Sequence, residues 1–337
     1  MTKMSIKNKF LEYIRLFRLQ TAAATASAPL IGGLVAGLRD LNLLFVLFLI
    51  GILYHIYGFV LNEYMDVEVD KKSSDLKDKT LVSGKIKSKN ALFIVCLSCF
   101  FACLLTIIFF QYMLPILFLL SALFLGGVYD IFGKKIPGLD FILGGGFFFI
   151  CLMGASTVSS NFSPLIYIVC LVYFIHIAFN NSVEGGLKDV DHDNLAGAKT
   201  LATCMEVNIK SSRLKVTKSF VVFSVILKLV FFGLIILLCV QPEINISENY
   251  IVQIVLIVFF AAMAFYTMYK FLNRPVFVRS RLKTLFSLHE MSSYFILVIA
   301  LSPLIELWPT IVLFFLPFIW YILFNFILYG KLLQPQV

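Results

Sequence analysis

The chain has 337 residues, 60% hydrophobic and only 14% charged, with a net charge of +9 and a mean hydropathy of +0.95. A soluble domain of this composition would expose apolar surface on every side, so the chain reads as an integral, multi-pass membrane protein. Its basic residues lie in the loops between apolar runs, which is the positive-inside pattern and excludes a nucleic-acid-binding stripe.

In chain order, a basic arm (Lys3, Lys7, Lys9, Arg15, Arg18) leads into the first apolar run, where Ala22 to Pro29 reads as a small-residue helix-packing face rather than a signal-peptide cleavage region. Apolar runs at 19–38, 43–64, 91–110, 113–129, 138–157, 164–184, 219–240, 250–271, 291–306 and 309–329 are predicted to span the bilayer, each near the ~20 residues that cross ~30 Å of hydrocarbon. The ninth is short, interrupted by Pro303 and followed by Glu306 and Pro309. It is expected to be a tilted or re-entrant element, which sets the count at nine or ten crossings. Lysines and arginines fill the segments 65–89, 130–137, 186–217 and 270–284, with Lys72 and Arg274 among them, and are nearly absent from the alternate connections. This bias predicts a cytoplasmic N-terminus, with those segments on the same side.

Cys96 and Cys99 form a C-x-x-C, but their neighbours are lipid-like, so they read as small buried hydrophobes. His55 and His176, inside spans, read as packing or hydrogen-bonding residues. The sequons at Asn161 and Asn245 carry no functional weight, because a three-residue pattern is common by chance. The 36 phenylalanines and 14 tyrosines suit a lipid-facing surface and equally a tunnel for a lipid tail.

Two acidic clusters stand out. Of 19 acidic residues, ten fall in 62–78 and 184–193. The first cluster is Asn62-Glu63-Tyr64-Met65-Asp66-Val67-Glu68-Val69-Asp70, and the second is Lys188-Asp189-Val190-Asp191-His192-Asp193. Both follow apolar runs, and both fall on the predicted cytoplasmic side. Carboxylates at a membrane boundary are expensive unless a cation binds them. On a helix Asn62, Asp66 and Asp70 share one face, as do Asp189 and Asp193, whereas Asp191 points elsewhere. One D-x-x-x-D at a helix end is usually a solvated face; two on one membrane face, one of them with an N-x-x-x-D-x-x-x-D spacing, favour a metal site. Mg²⁺ takes oxygen ligands from one or two carboxylates plus substrate phosphate, so facing clusters would clamp a diphosphate. Lys79, Lys85, Lys134, Lys135, Lys188 and Lys199 could meet the remaining phosphate charge, although topology alone would also place lysines there. Tyr129, Asn180 and Asn181, near the ends of spans 4 and 6, could line the same cavity or serve as an interfacial tyrosine and helix-helix polar contacts.

On these residues the chain resembles the UbiA superfamily of intramembrane prenyltransferases. Asn62 to Asp70 with Ser83-Gly84 is similar to the family's N-D-x-x-D-x-x-x-D element and the S-G turn behind it. Lys188-Asp189 to Asp193, followed by Gly197-Ala198-Lys199-Thr200-Leu201, is similar to its D-x-x-x-D element and G-x-K-T-L. Tyr129 and Lys134 sit where the family has a tyrosine and a lysine after its fourth helix.

The resemblance implies an all-α bundle of nine or ten transmembrane helices forming one domain over 1–337, with an extra span at 309–329. It implies that Asn62, Asp66, Asp70, Asp189 and Asp193 bind Mg²⁺, the four aspartates being catalytic. Asn62, Lys79, Tyr129, Lys134, Lys188 and Lys199 would bind substrate. The donor would be an allylic prenyl diphosphate, and the acceptor an aromatic ring or a lipid alcohol in the membrane lipid. Departures are Glu63 where the family usually has Asp, the absence of proline in Lys79-Thr80-Leu81-Val82-Ser83-Gly84, and Asp130 where many members have serine. Two rivals stand beside it: a polyprenyl-phosphate phosphoribosyltransferase of related architecture, which the loop length after Asp70 resembles, and a non-enzymatic cation transporter using the same carboxylates, which should then lie nearer the midplane.

Overall fold

A computed structural model describes residues 6–71, 76–244, 250–273, 276–330 and 332. Lys3, Lys72, Arg274 and the sequon at Asn245 lie outside the described residues. The helices are α1 (Ile6–Leu16), α2 (Ala22–Val35), α3 (Leu41–Asp70), α4 (Ser88–Phe109), α5 (Met113–Phe132), α6 (Asp140–Ser156), α7 (Pro164–Phe179), α8 (Gly186–Ala196), α9 (Leu201–Cys204), α10 (Lys218–Cys239), α11 (Tyr250–Leu272), α12 (Arg279–Ile305) and α13 (Leu307–Tyr329). A π-helical segment, Asn180–Gly185, joins α7 to α8. Among the described residues, eight helical segments are long and apolar enough to cross a membrane, and two shorter apolar ones cover Leu19–Val35 and Asp140–Ser156. The protein is an all-α, polytopic membrane bundle.

Two boundaries differ from expectation in ways that matter for the site. The second span does not stop at 64: α3 continues to Asp70, a helix of 30 residues. At 1.5 Å per residue it is about 45 Å long, well beyond ~30 Å of hydrocarbon, so its last turns can stand clear of the apolar layer. Its start is fixed by Asp40, whose Oδ1 accepts from the backbone N–H groups of Asn42 and Leu43 at 2.8 and 3.1 Å. The sixth span likewise runs on, through the π segment, to Ala196.

The ninth span is a further correction. It is not a short element but the second half of α12, a helix of 27 residues whose first turns carry Arg279, Arg281 and Lys283. Pro303 lies two residues from the end of that helix, so the disruption expected of proline falls on the last turn alone.

The chain divides into two compact units. The first contains the described residues to Ile131, Phe149–Ser160 and those from Phe315 onward. Within it α2 packs on α3 through the small residues read from the sequence: Ala22, Ala23, Ala26 and Ala28 are fully or almost fully buried. A Cβ on Gly51 would lie 2.5 Å from Ala26 Cα, and one on Gly154 would overlap the Pro29 carbonyl oxygen. Only glycine permits those helix approaches. His55, on α3, is hydrogen-bonded as expected: Nδ1 lies 2.8 Å from Thr25 Oγ1, and Nε2 lies 3.0 and 3.1 Å from the Phe17 and Arg18 carbonyl oxygens, where the chain breaks between α1 and α2.

The second unit contains Phe132–Phe148 and Asn161–Phe314. In it α7 packs on α10, and α12 on α11 and α10. The basic segment after α8 is not a plain loop, since it holds a two-stranded antiparallel hairpin, β1 (Asn208–Lys210) and β2 (Arg213–Lys215), with Ile209 opposite Leu214. Ser211 and Ser212 turn it with φ of 50° and 58°, the left-handed pair of a tight hairpin turn.

Candidate active site

In the first unit the acidic cluster lies on the last turns of α3. Asn62 and Asp66 are half-buried and Asp70 is 4% exposed. Asp130, in the last turn of α5, shares a side-chain hydrogen bond with Asn62 and lies within electrostatic reach of Asp66. A carboxylate from a second helix therefore joins the set, at a position noted in the sequence only as a departure from the family pattern. Its Oδ2 is buried without a hydrogen-bond partner among the described residues. Tyr129, its neighbour on α5, is half-buried.

Asp70 and Glu63 face a different set of groups. Lys79 Nζ lies 2.8 Å from Asp70 Oδ2 and 3.3 Å from Glu63 Oε1, and Arg18 Nη2 donates to that same Glu63 oxygen at 2.5 Å. Lys79 is presented by a folded loop. Ser83 Oγ and the Ser83 N–H both donate to the Lys79 carbonyl, at 2.8 and 2.9 Å, and Gly84 turns the chain with φ +71°. The S-G pair thus has a local reason, since the turn needs a left-handed residue behind the serine. Glu12 on α1 holds the same loop, accepting from Thr80 Oγ1 at 2.9 Å with Lys85 Nζ at 3.5 Å.

In the second unit, Asp189 and Asp193 lie on α8. Asp189 Oδ2 is 3.3 Å from Lys188 Nζ, and Lys134 and Arg279 add to the positive field on it. Asp193 is 5% exposed. Asp191 does point elsewhere: both its carboxylate oxygens accept from Arg279 Nη2 at 2.6 Å, while Arg279 Nε donates to the Lys188 carbonyl at 3.2 Å. Gly197, φ +70°, ends α8, with the Ala198 N–H bonded back to the Asp193 carbonyl at 2.9 Å. The Lys199 N–H then donates to the Lys134 carbonyl at 2.9 Å, and Thr200 caps α9. The G-A-K-T-L run is accordingly a helix stop, a tether to the Lys134 segment and a helix start.

Deeper in this unit lies a buried polar group that the sequence reading did not assemble. His289 Nδ1 and Glu184 Oε1 are 2.5 Å apart, and Lys228 Nζ donates to Ser293 Oγ at 2.7 Å. Asn180 Nδ2 lies 3.3 Å from His176 Nε2, so His176 is hydrogen-bonded, as expected for a histidine inside a span. A lone lysine at 228 within an apolar run was the available signal.

Among the described residues no three His, Cys, Asp or Glu side chains converge as a metal cage. The donors do suit Mg²⁺, which keeps several waters and is held by one or two carboxylates together with substrate phosphate. Carboxylate and amide oxygens on helix ends, flanked by lysines, supply that kind of partial shell.

Residues 26–274 match the profile of the UbiA prenyltransferase family. The chain belongs to that family. Among solved structures it is similar to a UbiA homolog from Archaeoglobus fulgidus bound to GPP and Mg²⁺, with a TM-score of 0.62, 16% identity, and coverage of 85% of this chain and 99% of that one. It is also similar to a UbiA homolog from Aeropyrum pernix K1, with a TM-score of 0.62, 14% identity, and 85% and 97% coverage. A third similar structure comes from work on digeranylgeranylglyceryl phosphate synthase, with a TM-score of 0.58, 19% identity, and 88% and 99% coverage. No curated protein matches the chain at a significant level.

Proposed function

We propose that this protein is a Mg²⁺-dependent intramembrane prenyltransferase. It would move a polyprenyl group from an allylic prenyl diphosphate to an aromatic or lipid-alcohol acceptor and release diphosphate. The observation that carries this reading is the pair of carboxylate sets on helix ends, each with a lysine on one of its aspartates: Lys79 on Asp70 and Lys188 on Asp189. The relatives support it, since one of them was solved with GPP and Mg²⁺.

In this reading Asn62, Asp66, Asp70, Asp189 and Asp193 hold Mg²⁺, and Lys79, Lys134, Lys188 and Lys199 contact the diphosphate. When bound, Mg²⁺ supplies Lewis-acid neutralisation of the leaving group. The lysines add fixed positive charge where negative charge builds up on the departing oxygen. Arg279 keeps Asp191 and the main chain of Lys188 in place. Apolar helix surface, rich in phenylalanine, accommodates the prenyl tail. The positive-inside bias supports a cytoplasmic side for the N-terminus and both carboxylate sets.

The test is purified protein in lipid, given isotope-labelled geranylgeranyl diphosphate and a lipid extract as the acceptor pool, with and without Mg²⁺. Mg²⁺-dependent transfer of label into new products is expected, and their mass names the acceptor. Label that stays on the donor across a series of chain lengths would refute prenyl transfer. Metal flux without diphosphate, or activity with phosphoribosyl diphosphate, would point to one of the rival readings.

A further inference from the structure

Glu63 and Asp70 are both more than nine-tenths buried, and two cations, Arg18 and Lys79, balance them. The two cations are held differently. Arg18 sits at a break between helices, with φ 44°, and donates to Glu63 from a main chain whose carbonyl is bonded to His55. Lys79 sits on the 76–87 loop, bridging Asp70 and Glu63 through a flexible four-carbon stem. That loop has an anchor of its own, the Thr80 and Lys85 contacts to Glu12, so it can stay docked if the Lys79 ammonium moves.

We infer that Lys79 and a divalent cation are alternative partners of Asp70, and that Lys79, displaced by the metal, moves to the diphosphate that arrives with it. This deepens the proposed function and rests on it. A divalent ion on Asp70 would place two further positive charges beside an ammonium already bonded to the same carboxylate. Like charges at that range repel strongly in a partly desolvated setting. Glu63 keeps Arg18 and needs no replacement. A diphosphate then restores the charge balance and offers Lys79 new acceptors. Metal alone therefore competes with Lys79, whereas metal with diphosphate cooperates with it.

The consequence is a pair of effects of opposite sign. Lys79→Met should bind Mn²⁺ alone about tenfold more tightly than wild type, read from the electron-paramagnetic signal of unbound Mn²⁺. In saturating Mn²⁺ it should bind inorganic diphosphate about tenfold more weakly by calorimetry, the scale of one charge-assisted hydrogen bond. Lys79→Arg, which keeps the competing cation, should hold Mn²⁺ no more tightly than wild type. A residue that merely held the loop would weaken both ligands in Lys79→Met, and one that only met phosphate would leave Mn²⁺ binding unchanged; either result overturns the inference. A wild type that binds no Mn²⁺ overturns the metal reading and this inference with it. In the unmutated protein, acylation of the Lys79 amine, followed by mass spectrometry, should rise with Mn²⁺ alone and fall when diphosphate is added. Labelling that ignores both ligands also overturns it.

Discussion

His289→Phe tests whether the buried Glu184–His289 contact stabilises the second unit. Phenylalanine keeps a ring against Phe179 and Phe271, whose centroids lie 4.9 and 5.5 Å from that of His289, but removes both ring nitrogens. Glu184, 5% exposed, then loses the partner at 2.5 Å. Leaving a buried acceptor unsatisfied costs about 1–3 kcal/mol, rising to about 3–5 where an ion pair is broken. Against this, His289 Nε2 is itself buried with no hydrogen-bond partner among the described residues, and removing it relieves part of the loss. A net destabilisation of about 2–3 kcal/mol follows. In the double mutant Glu184→Leu/His289→Phe both polar groups are gone, and a coupling of roughly 2 kcal/mol between the sites is expected. The assay is unfolding by SDS titration in lipid–detergent micelles, followed by circular dichroism, for the wild type, both single mutants and the double. Strict additivity, within about 0.5 kcal/mol, would refute a stabilising pair and leave the residues as mere neighbours.

Asp66→Asn and Asp189→Asn should each lower prenyl transfer by about a hundredfold or more, the scale seen when a transition-state charge contact is lost, with little change in thermal unfolding; a folded, fully active variant would remove that residue from the site. Arg279→Ala should lower turnover by releasing Asp191 and the Lys188 carbonyl, while costing only about 1 kcal/mol of stability because both side chains are partly exposed; Arg279→Lys should not restore turnover fully, since one ammonium cannot reproduce the guanidinium's several contacts. Gly154→Val should destabilise the first unit by about 1–3 kcal/mol or more through overlap with Pro29. Gly58→Ala on α3, where a Cβ meets nothing within 4 Å, should be neutral or slightly stabilising; equal thermal shifts for the two glycine variants would refute the packing argument.

The apolar runs could be read as helices because lipid removes the choice: a spanning segment must satisfy its own backbone. Reading failed where polar residues continued a helix. Asn62 to Asp70 lowers the hydropathy without breaking α3, and Arg279 to Glu290 hides the first half of α12 in the same way. Each misread boundary was set by composition, whereas the helix itself is set by backbone hydrogen bonds. The shared helix face of each carboxylate set could be read from spacing alone, because each set is local to one helix. Their partners could not. Arg18 is 45 residues from Glu63, and Arg279 is 88 from Asp191. Nothing in either sequence neighbourhood specifies the other, so these pairs follow only from the packing of helices that lie far apart in the chain.

Four of these pairs nevertheless differ in the chemistry of the shortest charged contact. Glu63 and Asp191, outside the proposed ligand set, each have an arginine as their shortest charged contact, Arg18 and Arg279, with Lys79 also 3.3 Å from Glu63. Two acids proposed as ligands, Asp70 and Asp189, are paired with lysines, Lys79 and Lys188. Arginine offers a rigid, weakly hydrated fork with several donors, suited to a permanent contact; lysine is a single charge on a flexible stem that exchanges partners at smaller loss. A carboxylate that must accept a cation during each cycle is better served by the second kind of partner. The same distinction explains why Glu63, at a position where the family usually has aspartate, need not bind metal: its oxygen is already engaged by Arg18 at 2.5 Å. The longer glutamate arm reaches Arg18 and Lys79 and, on the proposed reading, leaves ligand exchange to Asp70.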